Sequence, residues 1–210
     1  MTRLFILLFL SSFNLYAYTG EVQTPQQALD RLIKGNKRYI QDRLLHPNRT
    51  EYRRMALVTT QKPFAAILGC SDSRVAPEII FDQGIGELFV VRVAGNVVGN
   101  IELESIEYAL IHLDSILVLV MGHENCGAVD AVIGGHTQDI EAIAEMIEPS
   151  VKRAKRSRSK NLLEFATKLN AIKMKNILIK HPVINKLVKA KKIQIQAAYY
   201  HLDTGRVQLL

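Results

Sequence analysis

Ile116-Leu117-Val118-Leu119-Val120-Met121, followed at once by Gly122-His123-Glu124-Asn125-Cys126-Gly127, is the stretch on which the fold turns. A strand with one wet face alternates apolar and polar residues. An unbroken apolar run of this length, stopped by a glycine-containing polar turn, reads instead as a strand buried on both faces. Gly127-Ala128-Val129 then opens a helix. Two further runs have the same form: Phe64 to Leu68 before Gly69-Cys70-Ser71-Asp72, and Leu88 to Val93 before Ala94-Gly95-Asn96. Between the second and third runs, Asn100 is placed to cap a helix that carries Ile101, Ser105, Tyr108, Ala109 and His112 on neighbouring turns. Strand, helix, strand is the crossover unit of a parallel sheet. The class expected is α/β, with a central, mostly parallel sheet flanked by helices.

Outward towards the amino end, Thr24-Pro25 has the form of an N-cap followed by proline at the first helical position. Ala28, Leu29, Leu32 and Ile33 follow at helical spacing, and Tyr39-Ile40 continue the stripe. This is an N-terminal helical arm, whose pattern fits packing on a partner subunit or on its own core equally well. Further out, Arg3 precedes the apolar run Leu4 to Leu10, a polar break at Ser11-Ser12 and a small residue at Ala17. Residues 1–17 therefore read as a secretory signal peptide, with an uncleaved anchor as the alternative. The run is too short to span a bilayer, so no stable membrane insertion is expected once it is removed. The expected location is the bacterial periplasm or the exterior.

Towards the carboxyl end, Asp139 to about Lys192 is helical in composition, with interruptions expected near Pro149 and before Pro182. Ile193 to Tyr199 alternates like an edge strand, and Asp203-Thr204-Gly205 looks like a turn. There is no internal repeat or linker, so residues 18–210 are expected to form a single domain. The formal charge is +7, and much of the excess sits in Lys152 to Lys160. No aromatic residue interleaves with that run, so it reads as a solvated helical face and no nucleic-acid partner is expected.

The chemistry lies in the turns after the apolar runs, where open α/β sheets place their ligand crevices. Both cysteines of the chain, Cys70 and Cys126, are there, with His123 three residues before Cys126. Two thiolates, one imidazole and one displaceable position describe a tetrahedral zinc site able to activate water. A closed structural site needs four fixed donors, and the chain has no third cysteine. In an oxidising compartment the same two cysteines could instead form a disulfide. The start of the helix at Gly127 should favour the thiolate of Cys126, and Gly122 and Gly127 should let the backbone pass close to an ion. Asp72 and Arg74, one residue apart, form a candidate catalytic pair in which the guanidinium keeps the carboxylate ionised. Released from Arg74, Asp72 could itself bind the metal, which makes the pair an expected on/off switch closing in acid. His112, His136, His181 and His201 read as structural or surface residues.

These residues resemble the β-class carbonic anhydrases. The likeness is carried by Cys70-Ser71-Asp72-Ser73-Arg74-Val75, by Gly86-Glu87-Leu88-Phe89-Val90-Val91-Arg92 with Ala94-Gly95-Asn96, and by Gly122-His123 with Cys126-Gly127-Ala128. It extends from about Pro25 to the C-terminal strand. The resemblance implies one Zn2+ per subunit on Cys70, His123 and Cys126, with Asp72 partnering Arg74 or serving as fourth ligand in an inactive form. It implies reversible hydration of carbon dioxide to bicarbonate and a proton, by attack of zinc-bound hydroxide. It also implies a four-stranded parallel sheet extended by a C-terminal edge strand, and a homodimer or dimer of dimers with active sites near the subunit interface. Gln83 and the amides near Gly127 are carried over as substrate-binding groups. A bicarbonate-inhibition pocket found in some members includes a tryptophan, which this chain lacks. Carbon disulfide or carbonyl sulfide is an alternative substrate for the same chemistry, and a zinc-binding protein without turnover has no need of the Asp72–Arg74 pair. A cysteine phosphatase loop places five residues between cysteine and arginine, whereas here there are three.

Overall fold

The computed structural model describes residues 21–210; the proposed signal segment lies outside them. The strands β1 (Ala65–Gly69), β2 (Leu88–Arg92), β3 (Leu117–His123), β4 (Gln194–Tyr200) and β5 (Val207–Leu209) form one sheet in the order β2-β1-β3-β4-β5. The first four are parallel and β5 runs antiparallel to β4. Every residue of β1 and β3 is buried, because helices cover both faces of the sheet. Side chains alternate between two cores. Ala66, Leu68, Val118 and Val120 pack with Ile106, Val129, Ile147 and Met174 on one side. Ala65, Ile67, Leu117, Leu119 and Met121 pack with Ala28, Leu32, Ile80 and Phe81 on the other.

The sheet has the expected make-up of four parallel strands and a C-terminal edge. The run from Ile193 to Tyr199 is not that edge, however: as β4 it lies between β3 and β5. The edge strand Val207-Gln208-Leu209 is too short to show a periodicity.

Helix α1 (Pro25–Tyr39) starts as its sequence directs. The Thr24 hydroxyl accepts from the Gln27 amide at 3.2 Å, and the Gln27 side chain accepts from the Thr24 amide at 3.1 Å. Helix α1 packs on the core of its own chain. Ala28, Leu29 and Leu32 enter the core, and buried Asn36 donates to Ile80 O and Gly205 O and accepts from the Val207 amide. The short helices α2 (Glu51–Ala56) and α3 (Pro77–Ile80) follow. In α4 (Asn100–Ile111) the N-cap is Gly99 and not Asn100, since the Gly99 amide donates to Glu102 Oε2 at 2.9 Å.

After α5 (Gly127–Gly134), helix α6 (Glu141–Arg156) runs straight through Pro149. That residue is exposed, and the helix tolerates the lost amide because Ala144, Ile147, Val151 and Ala154 anchor it to the core. The interruption falls later, at residues 157–161, where Asn161 caps α7 (Leu162–Lys180) by accepting from the Glu164 amide at 3.1 Å. The expected break before Pro182 separates α7 from α8 (Pro182–Lys189). The basic run is a solvated face: Lys152, Arg153, Lys155 and Arg156 point outward while Val151 and Ala154 point in.

Candidate metal centre

β1 and β3 are hydrogen-bonded neighbours, with Gly69 opposite Met121, so the residues just beyond them emerge side by side. Cys70 leaves the end of β1, His123 is the last residue of β3, and Cys126 is the N-cap of α5. One donor atom from each lies within 4.8 Å of the other two. Cys70 is 5% exposed, and His123 and Cys126 are fully buried. Both cysteines are free thiols, so the disulfide alternative is not the arrangement adopted.

His123 Nδ1 lies 2.8 Å from the Glu124 carbonyl, which sets the tautomer with the proton on Nδ1 and leaves Nε2 as the available donor. That Nε2 is buried and has no hydrogen-bond partner. A buried nitrogen left in this state costs about 1–3 kcal/mol. A metal ion would satisfy it, and two sulfurs with one imidazole nitrogen are a donor set that suits zinc. The residues present therefore fit the ion.

The two sulfurs, packed against one another, shift each other's acidity in opposite directions. The Cys70 thiol is lowered, first by the hydrogen bond from Cys126; burial opposes this, and His123 and the amides of Asp72 and Gly95 reinforce it. The Gly95 amide donates to Cys70 Sγ at 3.3 Å. Cys126 is raised, first because it donates to Cys70 and then by burial, even though the α5 amides at Val129 and Ala128 favour its anion. The expected help from the helix start is present in the α5 amides.

Asp72 and Arg74 form the expected pair with full bidentate geometry. Arg74 Nε donates to Oδ1 at 2.9 Å and a terminal nitrogen to Oδ2 at 2.7 Å, while the Arg74 amide also donates to Oδ1 at 2.9 Å. The guanidinium holds the Asp72 carboxyl far below the usual carboxylate range, against the opposing effect of burial. Asp72 Oδ2 lies 3.8 Å from His123 Nε2, beside the three donors. Asp72 thus rests on Arg74 with one carboxylate edge turned towards His123.

Arg92, at the end of β2, is a supporting residue whose role the residue-by-residue reading missed. Its Nε donates to Cys70 O at 2.9 Å and a terminal nitrogen donates to Asp72 O, so it clamps the backbone that carries both groups. Its signal was its place at the end of the second apolar run, one strand away from Cys70.

Gln83 is not brought to this centre within the chain. It is buried near the amino end of β2, where its Nε2 donates to Phe81 O at 2.6 Å and its Oε1 accepts from Arg31 at 3.0 Å. Gly127 opens α5 beside Cys126, and a Cβ there would meet nothing within 4 Å, so the space next to its amide is open. At Gly122 a Cβ would come within 3.0 Å of Thr167 Cγ2, so the glycine lets α7 approach the end of β3. His181, expected to be structural or at the surface, is structural: Nδ1 lies 2.7 Å from Glu107 Oε1.

Residues 65–207 match the family model described as carbonic anhydrase. Carbonic anhydrase 2 of Mycobacterium tuberculosis is 37% identical over 194 residues, an alignment covering 88% of this chain and 92% of that one. Among solved structures, the β-carbonic anhydrase CafA of Aspergillus fumigatus superposes with a TM-score of 0.70 at 23% identity, covering 88% of this chain and 89% of that one. One from Sordaria macrospora, titled as tetrameric, gives 0.64 at 20% identity, covering 76% and 85%. The chain shares the fold of solved β-carbonic anhydrases, and its sequence kinship over nearly the whole described chain settles the family: it belongs to the carbonic anhydrases and is an enzyme that hydrates carbon dioxide.

Proposed function

We propose that Cys70, His123 and Cys126 hold one Zn2+ and that Asp72, fixed by Arg74, serves the hydration of carbon dioxide at that centre. The observation that carries this reading is a bidentate carboxylate–guanidinium pair standing 3.8 Å from the unpartnered nitrogen of a buried Cys/His/Cys set. When bound, the ion supplies Lewis acidity that lowers the pKa of a coordinated water from about 15.7 towards 7, so that hydroxide is available at neutral pH.

The chain's own residues do the rest. The Glu124 carbonyl keeps His123 in the ligating tautomer, and the Gly95 amide supports the Cys70 thiolate. Asp72 stays ionised and accepts a hydrogen bond from the attacking water, which orients its lone pair towards the carbon of the substrate. Arg74 is a positioning residue: it occupies the carboxylate edge that would otherwise be free to ligate. The Gly127 amide, with open space beside it, is placed to orient the developing bicarbonate.

A part for Gln83 requires a second subunit, because its own chain keeps it at the other end of the sheet. Assembly as a homodimer or dimer of dimers is supported by the edge position of β2 and by the exposed apolar residues Ile79, Ile101, Tyr108 and Ile111. Export to the periplasm or exterior rests on the leader-like residues 1–17. No helix among the described residues is long and apolar enough to cross a membrane. N-terminal sequencing of the mature protein should begin near Tyr18, and an intact Met1 would overturn cleavage.

Stopped-flow measurement of carbon dioxide hydration tests the centre. Zinc-loaded wild type should accelerate the reaction, Asp72→Ala should retain metal and lose rate, and Cys70→Ser should lose both. Full activity in Cys70→Ser would remove the coordination proposed.

A further inference from the structure

A second set of metal-type donors converges at the carboxyl end of the sheet. β3 and β4 are parallel neighbours with His123 opposite Tyr200, so Glu124 and His201 are the next residues out, followed by Asp203. One donor atom from each of Glu124, His201 and Asp203 lies within 4.8 Å of the other two.

Their supports come from the backbone of the sheet. The Glu124 amide donates to Tyr200 O at 2.8 Å, and the Leu202 amide donates to Glu124 Oε2 at 2.9 Å. The His201 amide donates to Arg206 O and the Gly205 amide to His201 O, both at 2.9 Å, which fixes the turn between β4 and β5. The His201 ring sits edge-on to Tyr199 at 4.9 Å, and Asp203 Oδ1 accepts from the Thr204 amide at 2.7 Å. The contact of His201 Nε2 with Gln208 Oε1 is long, at 3.4 Å, and offers little competition for the ring.

Charge makes the cluster notable. The chain has 27 lysines and arginines against 20 acidic residues. Even so, neither Glu124 nor Asp203 takes part in an ion pair among the described residues. Two carboxylates gathered around an imidazole, neither of them in direct ion-pair contact with Lys or Arg among the described residues, complement a divalent cation.

We propose that Glu124, His201 and Asp203 form a second cation site, separate from the cysteine centre, that takes a first-row divalent metal with water in the remaining positions. Thiolates are absent from it, and one nitrogen with two carboxylate oxygens suits borderline cations such as Co2+ or Zn2+. The site ties the end of β3 to the turn beyond β4. It acts on the segment whose Glu124 carbonyl orients His123, so its occupancy stiffens the support of the cysteine centre. A cation bound there in the folded state alone also stabilises the fold by mass action.

Cobalt titration of the metal-stripped protein, with metal analysis and optical spectra, tests the site. In wild type, one Co2+ should give sulfur-to-metal charge-transfer absorption and a second should bind without it. His201→Ala and Asp203→Asn should each weaken the second event by at least about tenfold while leaving the charge-transfer band intact. Cys126→Ser should do the reverse, losing the band and keeping the second Co2+, so failure of the cysteine centre is read separately. Thermal melts should rise with added Co2+ more in Cys126→Ser than in Cys126→Ser combined with His201→Ala. A single binding event in wild type, or an undiminished second event in both His201→Ala and Asp203→Asn, would overturn the proposal.

Discussion

Arg74 gives Asp72 two side-chain N–H groups and its own amide, so three of the carboxylate's acceptor directions are taken before any substrate arrives. What remains is one ionised edge beside the metal donors, which is what a group orienting water requires. Arg74→Ala should lower kcat about 100-fold with zinc content unchanged. Arg74→Lys, which keeps the charge and loses the two-pronged fit, should recover only part of that rate. Equal rates for the two variants would mean that charge alone matters.

Asp82 shows the same chemistry used for stability. Burial pushes its carboxyl up, but the Leu45 amide, the Arg38 side chain and the His46 amide together outweigh it and hold the group below the usual range. A carboxyl lowered in the folded state contributes stability above its unfolded pKa of about 3.9, and that contribution is lost as pH falls through the folded value. Urea midpoints should therefore drop below about pH 4 in wild type and drop less steeply in Asp82→Asn. Parallel curves for the two proteins would refute the assignment.

Among the elements, the strands were legible and the joints were not. β1 and β3 announce themselves because both faces are buried, which removes every polar interruption. Gly99 as a cap, Pro149 inside α6 and the three-residue β5 leave no such trace, since each depends on what packs beside it. The turn Ala94–Asn96 shows how a small joint serves the site. Gly95 has φ +70°, and a Cβ there would come within 2.6 Å of Ile147 Cδ1. Gly95→Ala should cost about 1–3 kcal/mol in chemical denaturation. By moving the amide that supports Cys70, it should also weaken zinc binding. A variant with normal stability and zinc affinity would show that the turn adapts freely.

At the scale of the molecule, one chain by itself brings Cys70, His123 and Cys126 together, while the edge strand β2 and one face of α4 leave apolar residues at least partly exposed. Ile101 is 77% exposed, and Tyr108 and Ile111 are each 48% exposed on α4. Introducing Ile101→Glu with Tyr108→Lys should convert an assembly into single chains, as read by light scattering after gel filtration. An unchanged mass for the double variant, or a monomeric wild type, would place the interface elsewhere or remove it.

The amino-acid sequence by itself determined the sheet-forming runs, the candidate ligands Cys70, His123 and Cys126 and the Asp72–Arg74 pair. Burial patterns and metal-donor chemistry are local and leave residue types in place. Only the tertiary structure decided that Cys70 meets His123 and Cys126, that Arg92 clamps the loop from the neighbouring strand, and that Glu124, His201 and Asp203 meet. Each of these depends on which strands lie side by side, and strand order is set by packing across the whole sheet.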